Sequence, residues 1–362
     1  MQQVVNLCSP SWDPYRSYGK KACRLAFHLT QMGVYVNAFT HDGGDPCNDN
    51  QPDSVRAIVS QPVRPVVGGI VLGYPSRYYR YGPLVQAGPR VAVTAWESTQ
   101  PPGDWIEPLN ECGAVSVGSQ FTRSVLVQAG VSVPVHVHPL GVDSAFKYIN
   151  RLPGRKPFTF LMIGDRGLRK GWDIAVKAFR MAFGDSPDHR LIIKTFAPLG
   201  YDIKHSNVQV LTADFTQEQM IDLYARVDAF VSPNRGEGFG WPPREAAATG
   251  LPVIATDWGG TADDLRAWGY PLRITGLETA WRDTDVLLGC GEWAVPDVDH
   301  LVKQMQYVAS GNPAIRHMAQ HSARRVRRLY PWRRFAENVW QTWLRVSTPP
   351  VTDRRRRLKA KA

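Results

Sequence analysis

Residues 231–260 read VSPNRGEGFGWPPREAAATGLPVIATDWGG. An apolar run, Val227 to Val231, feeds a glycine-rich turn, Gly236-Glu237-Gly238-Phe239-Gly240. The turn opens a helix-favouring segment, Arg244-Glu245-Ala246-Ala247-Ala248, closed by Gly250. Strand, glycine loop and helix N-terminus together make an anion site: glycines let the backbone approach a ligand, and free N–H groups with the positive end of the helix dipole favour phosphate. Glu237 in the loop and Glu245 on the helix can address hydroxyl groups on either side of that phosphate, an arrangement suited to a nucleotide sugar.

The same two carboxylates do not suit glycoside hydrolysis. Eight residues at a helical rise of ~1.5 Å separate them by up to ~12 Å, outside the ~5 to 9.5 Å that hydrolysis uses. A nicotinamide enzyme is also disfavoured. Its G-x-G-x-x-G would follow the first strand, whereas Val4 to Cys8 is followed by Ser9-Pro10-Ser11-Trp12-Asp13-Pro14.

Apolar runs alternate with helical patterns along the chain, which predicts α/β units around parallel sheets. Strands are expected at Val4 to Cys8, Val34 to Phe39, Gly69 to Gly73, Val91 to Trp96, Ala114 to Gly118 and Val133 to Val137, with helices at Gly19 to Gln31, Asp104 to Cys112 and Gln120 to Ala129. Asp143 to Pro157 reads as a linker. Strands resume at Phe158 to Ile163, Leu191 to Thr195, Val208 to Thr212, Ala229 to Ser232 and Val253 to Thr256, with helices at Trp172 to Phe183 and Gln217 to Arg226 between them. Helical stretches at Val298 to Ala309, Ala314 to Tyr330 and Trp332 to Arg345 close the chain.

The 362 residues, 43% of them hydrophobic, suffice for two cores. No run approaches 18 apolar residues, and the N-terminus lacks a basic and apolar leader pattern, so a cytoplasmic protein is expected. Five cysteines, Cys8, Cys23, Cys47, Cys112 and Cys290, show no C-x-x-C spacing, which disfavours zinc and a disulfide framework. His136 and His138 share one strand face without an acidic or Cys partner nearby. Charge is concentrated at the end: residues 323–362 hold 13 Arg or Lys against Glu337 and Asp353, a surplus of +11 that equals the whole-chain value. The run Arg354 to Arg357 with Lys359 and Lys361 follows Pro349-Pro350. It reads as a disordered basic tail able to attract a polyanion such as DNA, or an anionic membrane surface to which the protein would be peripheral.

The segment from Glu237 to Gly260 resembles the signature of the retaining GT-B glycosyltransferases of the GT4 family, whose E-x7-E motif sits in a P-S-x-x-E-G-F-G-L-P-x-x-E-A-x-A-x-G-x-P-V-I-A context. Trp241 stands where Leu is usual, and Pro252-Val253-Ile254-Ala255 match. The resemblance extends, more weakly, from Val4 to about Leu344 and includes Gly141-Val142-Asp143. It implies a GT-B fold, α/β, with two facing doubly wound Rossmann-like domains and a cleft between them. The first would be an acceptor-side domain over residues 1–147, and the second a nucleotide-sugar domain over 148–330. A helix over 331–347 would return to the first domain, and a basic tail would occupy 348–362.

The resemblance also implies roles. Gly164-Asp165-Arg166-Gly167-Leu168-Arg169-Lys170-Gly171 is similar to the family's G-x-x-x-x-R-K-G stretch, so Arg169 and Lys170 would clamp the diphosphate; Asp165 departs from the usual Arg and leaves Arg166 as a further candidate. Glu237 would hold sugar hydroxyls, Glu245 the ribose, and the Gly238, Phe239 and Gly240 backbone the phosphates. Gly19 resembles the family's glycine loop without its glycine pair. Trp96, Glu97, Pro101, Trp105, Val117 and Ser119 match a W-E-x-x-x-x-P subgroup, which makes Glu97 the acceptor-side candidate unless it pairs with Arg77 or Arg123. Thr216, followed by Glu218 and Gln219, has a helix-cap pattern, and Thr212 to Phe215 would face the base. Thr261 with Asp263 and Asp264 fits N-capping of a following helix. The implied activity is metal-independent, retaining sugar transfer from a nucleotide-diphosphate sugar, with no cofactor and no metal. Acceptor, sugar, base and oligomeric state stay open. A catalytically inactive scaffold of the same fold and a nucleic-acid-directed enzyme are the alternatives.

Overall fold

The computed structural model describes residues 2–151, 154–164, 167–201, 203–281 and 289–348, the side chain of Leu84 excepted. Strands β1 (Val4–Ser9), β2 (Tyr35–Thr40), β3 (Gly69–Leu72), β4 (Arg90–Thr94), β5 (Ala114–Val117) and β6 (Val135–Val137) form one all-parallel sheet in the order β2-β1-β3-β4-β5-β6. A second parallel sheet contains β7 (Phe158–Ile163), β8 (His189–Thr195), β9 (Val208–Thr212), β10 (Ala229–Ser232), β11 (Val253–Thr256) and β12 (Tyr270–Leu272), ordered β12-β11-β10-β7-β8-β9. In each sheet the chain reverses its direction of travel beside the first strand. Ligands of open α/β sheets sit at the carboxyl ends of strands flanking such a switch.

Most strands expected from the apolar runs are present within a residue or two. Several elements differ, among them β12, which no expected strand covers. The stretch expected as one helix from Asp104 to Cys112 is a 3-10 turn, Gly103–Trp105, followed by a short helix, Ile106–Asn110, because Pro108 removes a donor from any longer hydrogen-bond ladder. A helix, Asp53–Val59, fills what read as a loop. An antiparallel hairpin of β13 (Ile274–Thr279) and β14 (Glu292–Pro296) follows the second sheet. Four of the six residues of β13 are exposed, and Glu278, bound by Trp293 and Arg235, gives it a polar anchor, so no hydrophobic alternation announced it.

Each sheet buries one face in a private apolar cluster: Trp96, Trp105, Val115 and Leu126 on the first, Phe160, Trp172, Phe179 and Met305 on the second. A third cluster is continuous between the halves. It runs from Leu25 and Leu29 through Trp332, Phe335 and Val339 to Val142, Phe146, Phe239 and Ala246. The helix Trp332–Ser347 presents Trp332, Phe335, Ala336, Val339, Trp340 and Trp343 along one face, each three or four positions from a residue in the next turn, and lays that stripe on the helix Ser17–Gln31 and on β4. Burying each large side chain contributes on the order of 2 kcal/mol. The chain crosses at Gly141-Val142-Asp143, where the Val142 N–H donates to the Tyr330 carbonyl at 2.7 Å. A Cβ on Gly141 would fall 2.2 Å from Cγ of Trp332, so only glycine permits the crossing.

Candidate functional site

Between the two sheets lies a cleft of about 550 Å³, adjoined by a pocket of about 290 Å³. Its second-half wall is the glycine loop that follows β10. Gly236 and Gly238 sit directly on the end of β4: a Cβ on Gly236 would come 2.2 Å from the Glu97 carbonyl, and one on Gly238 would press Ala95. The loop ends at Gly240 in the left-handed region, and the helix Trp241–Ala248 begins there. Pro242 and Pro243 lie in its first turn, where N–H groups have no partner within the helix, so they cost the helix nothing. They do withdraw two donors from any anion, which leaves the N–H groups from Gly238 to Trp241 and the helix dipole.

Lys170 and Arg169 come from the turn after β7, in the 3-10 segment Leu168–Lys170. Gly171, at φ 76°, ends that turn so closely against β10 that a Cβ would lie 1.9 Å from the Pro233 carbonyl; the pair is thereby fixed beside the glycine loop. Arg169 is buried and donates to the Gly236 carbonyl at 2.7 Å, while its own carbonyl accepts from the Arg235 N–H at 2.7 Å. Lys170 makes an ion pair with Glu237. Burial works to raise the Glu237 carboxyl, but Lys170 and Arg169 outweigh it and hold the group below its ordinary range, so Glu237 is a carboxylate. Glu245 lines both cavities, within 3.4 Å of the Tyr224 hydroxyl.

The opposite wall belongs to the helix Ser17–Gln31. Lys20 pairs with Glu245 across the cleft, Arg16 reaches Asp214 at 3.2 Å, and Arg24 contacts Gln217 at 3.0 Å and pairs with Asp143. These three cations, four residues apart, form one stripe of the helix. Neither the stripe nor Lys21 was expected to belong to the site; the spacing of Arg16, Lys20 and Arg24 was the available signal.

The expected residues fall as follows. Lys170, Arg169, Glu237, Gly238, Phe239, Gly240, Glu245 and Glu97 all line the cleft. Gly19 does not. It is buried beneath the helix start, where a Cβ would lie 2.0 Å from the Asp13 carbonyl, and this packing accounts for the glycine. Arg166 and the basic run after Thr348 lie outside the described residues. Glu97 pairs with neither alternative cation; Arg123 donates to the Val135 carbonyl instead, at 3.1 Å, and Oε2 of Glu97 is buried without a hydrogen bond. The subgroup residues around it build a corner: the Trp96 indole donates to Ser98 and to the Gln100 carbonyl, its ring meets Trp105 at 4.9 Å, and Ser119 caps the helix Gln120–Gln128 by accepting from the Thr122 N–H.

Thr216 and Gln219 form a reciprocal capping box, and Phe215 lines the smaller pocket with Lys194 and Glu245. The capping reading of Thr261, Asp263 and Asp264 needs correction. None of them caps its own segment. Asp263 accepts from the Gln120 N–H of the other half at 2.7 Å, and Asp264 binds the buried Arg244 at 2.8 Å and the Tyr330 hydroxyl. His138 bonds Ser116 at 3.0 Å, Cys8, Cys23, Cys47 and Cys112 are thiols outside any disulfide, and no group of three or more His, Cys, Asp or Glu among the described residues could hold a metal ion. No helix among the described residues is long and apolar enough to cross a membrane.

Comparison with known proteins agrees with this geometry. A family model described as Glycosyl transferases group 1 matches residues 157–277, which contain Lys170, Glu237 and Glu245. The lipopolysaccharide core biosynthesis mannosyltransferase LpsB of Rhizobium meliloti (strain 1021) is 60% identical over 38 residues, 10% of this chain and 11% of that protein. The chain thus matches only about a tenth of that relative's length. Among solved structures, sucrose-phosphate synthase from Thermosynechococcus elongatus superposes with a TM-score of 0.69 at 17% identity, covering 95% of this chain and 98% of that one. Anabaena HepE, in complex with UDP and glucose, superposes with a TM-score of 0.64 at 13% identity, covering 95% and 100%. The two-domain fold is shared with these structures over nearly the whole length, and residues 157–277, which hold the glycine-loop wall of the cleft, are similar to the group 1 glycosyl transferases.

Proposed function

We propose that the chain transfers a sugar from a nucleotide-diphosphate sugar to an acceptor hydroxyl with retention of configuration and without a metal ion. The observation that carries this reading is the convergence of Lys170, Arg169, the Gly238 to Gly240 backbone, Glu237 and Glu245 on one cleft. Phosphate would lie against the loop N–H groups and Lys170, where the charge that develops on the leaving group meets preorganised donors. Glu237 would turn its carboxylate to the sugar hydroxyls, and Glu245 to the ribose. Phe215 and Lys194 in the adjoining pocket would face the base. In the transfer, the bond from the anomeric carbon to the phosphate oxygen breaks as the acceptor oxygen bonds to the same face of that carbon. The acceptor's proton passes to the departing phosphate, so no side-chain nucleophile is used.

Thermal shift over UDP, GDP and dTDP sugars tests the donor, because a ligand that binds only the folded state stabilises it by mass action. One nucleotide series should raise Tm in a concentration-dependent way, followed by release of the matching nucleoside diphosphate. No shift with any of them would overturn the reading.

A further inference from the structure

Among the described residues, the cleft holds one cation that its neighbours leave unused. Lys21, on the helix Ser17–Gln31, is 3% exposed and lines the cleft beside Tyr74, Ala95, Glu97 and Leu140. Every other cation on the cleft walls is engaged: Arg16 with Asp214, Lys20 with Glu245, Lys170 with Glu237, and Arg169 with the Gly236 carbonyl. Lys21 makes no hydrogen bond or ion pair among the described residues. Its ammonium rests 4.1 Å from the centre of the Tyr18 ring and 5.7 Å from that of Trp241. Aromatic faces attract a cation, but by less than burying an ammonium away from water costs. A Leu or Met would pack between the same rings without that cost. On the same wall Glu97 holds Oε2 buried and without a partner. A buried cation and a neighbouring buried carboxylate oxygen without a hydrogen bond, on two residues that line one cavity, are the elements of a site for a ligand that carries an anionic group next to a hydroxyl.

We propose that Lys21 receives a phosphate or carboxylate of the sugar acceptor and that Glu97 receives an acceptor hydroxyl, so that the acceptor class of this chain is anionic. The proposal rests on the transfer reading above. Lys21 is assigned to the acceptor because it stands on the wall facing Lys170 and Glu237, where the donor diphosphate already has Lys170, Arg169 and the loop N–H groups. The alternative source of the same chemistry is the departing diphosphate itself, and the experiment separates the two.

Full-length protein is saturated with UDP or, in a separate arm, GDP, and titrated with inorganic phosphate; calorimetry and thermal shift report binding. A third arm omits the nucleotide. Wild type should bind phosphate on top of the nucleoside diphosphate. Lys21→Met should weaken that binding at least ten-fold and change nucleoside-diphosphate affinity less than three-fold, while Lys21→Arg should stay within a few-fold of wild type. Lys21→Gln serves as a second neutral variant, and unchanged melting cooperativity confirms the fold of each. Equal phosphate affinity in wild type and Lys21→Met, or no phosphate binding by wild type, overturns the proposal. So does a ten-fold loss of nucleoside-diphosphate affinity in Lys21→Met, which assigns Lys21 to the leaving group. Failure of wild type to bind any nucleoside diphosphate sinks the donor reading instead, and the nucleotide-free arm still reads the lysine.

Discussion

The two walls of the cleft are charged in opposite styles. On the second-half wall the groups satisfy one another: Lys170 pairs with Glu237 and Arg169 caps the Gly236 carbonyl, all within a turn and a loop that follow adjacent strands, β7 and β10. On the first-half wall the cations of the helix Ser17–Gln31 reach across to the other half: Arg16, Lys20 and Arg24 contact Asp214, Glu245 and Gln217, although Arg24 also pairs with Asp143 of its own half, and Lys21 rests on aromatic faces. The Lys170–Glu237 pair is therefore made within one half, while Lys20 and Glu245 are matched only across the cleft. Neighbouring parallel strands bring their carboxyl-end loops together whatever the rest of the chain does, whereas a contact across a cleft depends on closure.

The largest effect should come from the pair made within one half. If Lys170 neutralises charge on the leaving phosphate, Lys170→Ala lowers transfer by on the order of 10² or more, as for loss of one preorganised donor. Near wild-type transfer by a folded Lys170→Ala would remove that role. Glu237→Gln should impair both transfer and hydrolysis of the donor sugar, because it withdraws the charge that holds Lys170 in place.

The first-half wall gives a stability signature instead. Burial depresses Lys21 to about 8, against the opposing field of Glu97; Tyr18, Tyr74 and Lys20 with its partner Glu245 are further titratable groups around it. Its folded value lies below its unfolded one, so the unfolded chain binds more protons between pH 8 and pH 10.5, and stability rises with pH through that window. Below pH 8 the full cost is present, on the order of 3 kcal/mol. Lys21→Met should therefore match or exceed the wild-type unfolding free energy at pH 7, and its advantage should shrink by about 2 kcal/mol by pH 9.5. Denaturant melts of both proteins at the two pH values measure this; a difference that does not change with pH rules out the burial cost.

A smaller change is expected at Lys20, which spans the cleft. Its ion pair with Glu245 is partly shielded, with side-chain exposures of 20% and 8%, and is worth up to about 1 kcal/mol. Lys20→Ala releases Glu245 for a ribose but also loosens closure, so nucleoside-diphosphate affinity should move by no more than about five-fold while turnover falls. A hundred-fold loss of affinity would mean that Lys20 binds the nucleotide directly.

The same contrast governs what the amino-acid order discloses. Strand, glycine loop and helix are contiguous from Val227 to Gly250, so the glycine-loop wall of the cleft could be read from one stretch, and Lys170 followed from a turn with its own glycine. Alternating apolar runs marked eleven of the twelve sheet strands; Tyr270–Leu272, only three residues long, was missed. Lys20 carries only the four-residue spacing with Arg16 and Arg24 as a local mark, and Lys21 none, because their meaning comes from Glu245 and Glu97, 225 and 76 positions away. Gly19 shows the reverse error: a glycine at a helix start suggested a ligand, but the Asp13 carbonyl alone demands it. Asp263 and Asp264, read as caps of their own segment, serve the other half and a buried arginine. Local sequence reports a residue's backbone surroundings well and its partners across a cleft poorly.

The smallest expected effect is none at all, and it separates the two walls from a metal-assisted design. Where a diphosphate depends on a divalent cation, the protein supplies carboxylates to hold that cation; here the carboxylates nearest the loop, Glu237 and Glu245, are already matched by Lys170 and Lys20. A cation placed among them would have to displace an ammonium at each side, at the cost of an ion pair with at most partial exposure. The phosphate meanwhile has the N–H groups from Gly238 to Trp241, with Lys170 beside them, to take up its charge. Transfer, or hydrolysis of the donor sugar where no acceptor is known, should therefore run at the same rate in excess EDTA as in Mg²⁺ or Mn²⁺, to within about two-fold. Complete loss in chelator with recovery on adding either ion would show that Lys170 and the loop do not suffice. The ion would then have to be sought beside Glu237, with Lys170→Ala costing far less than the hundred-fold expected above.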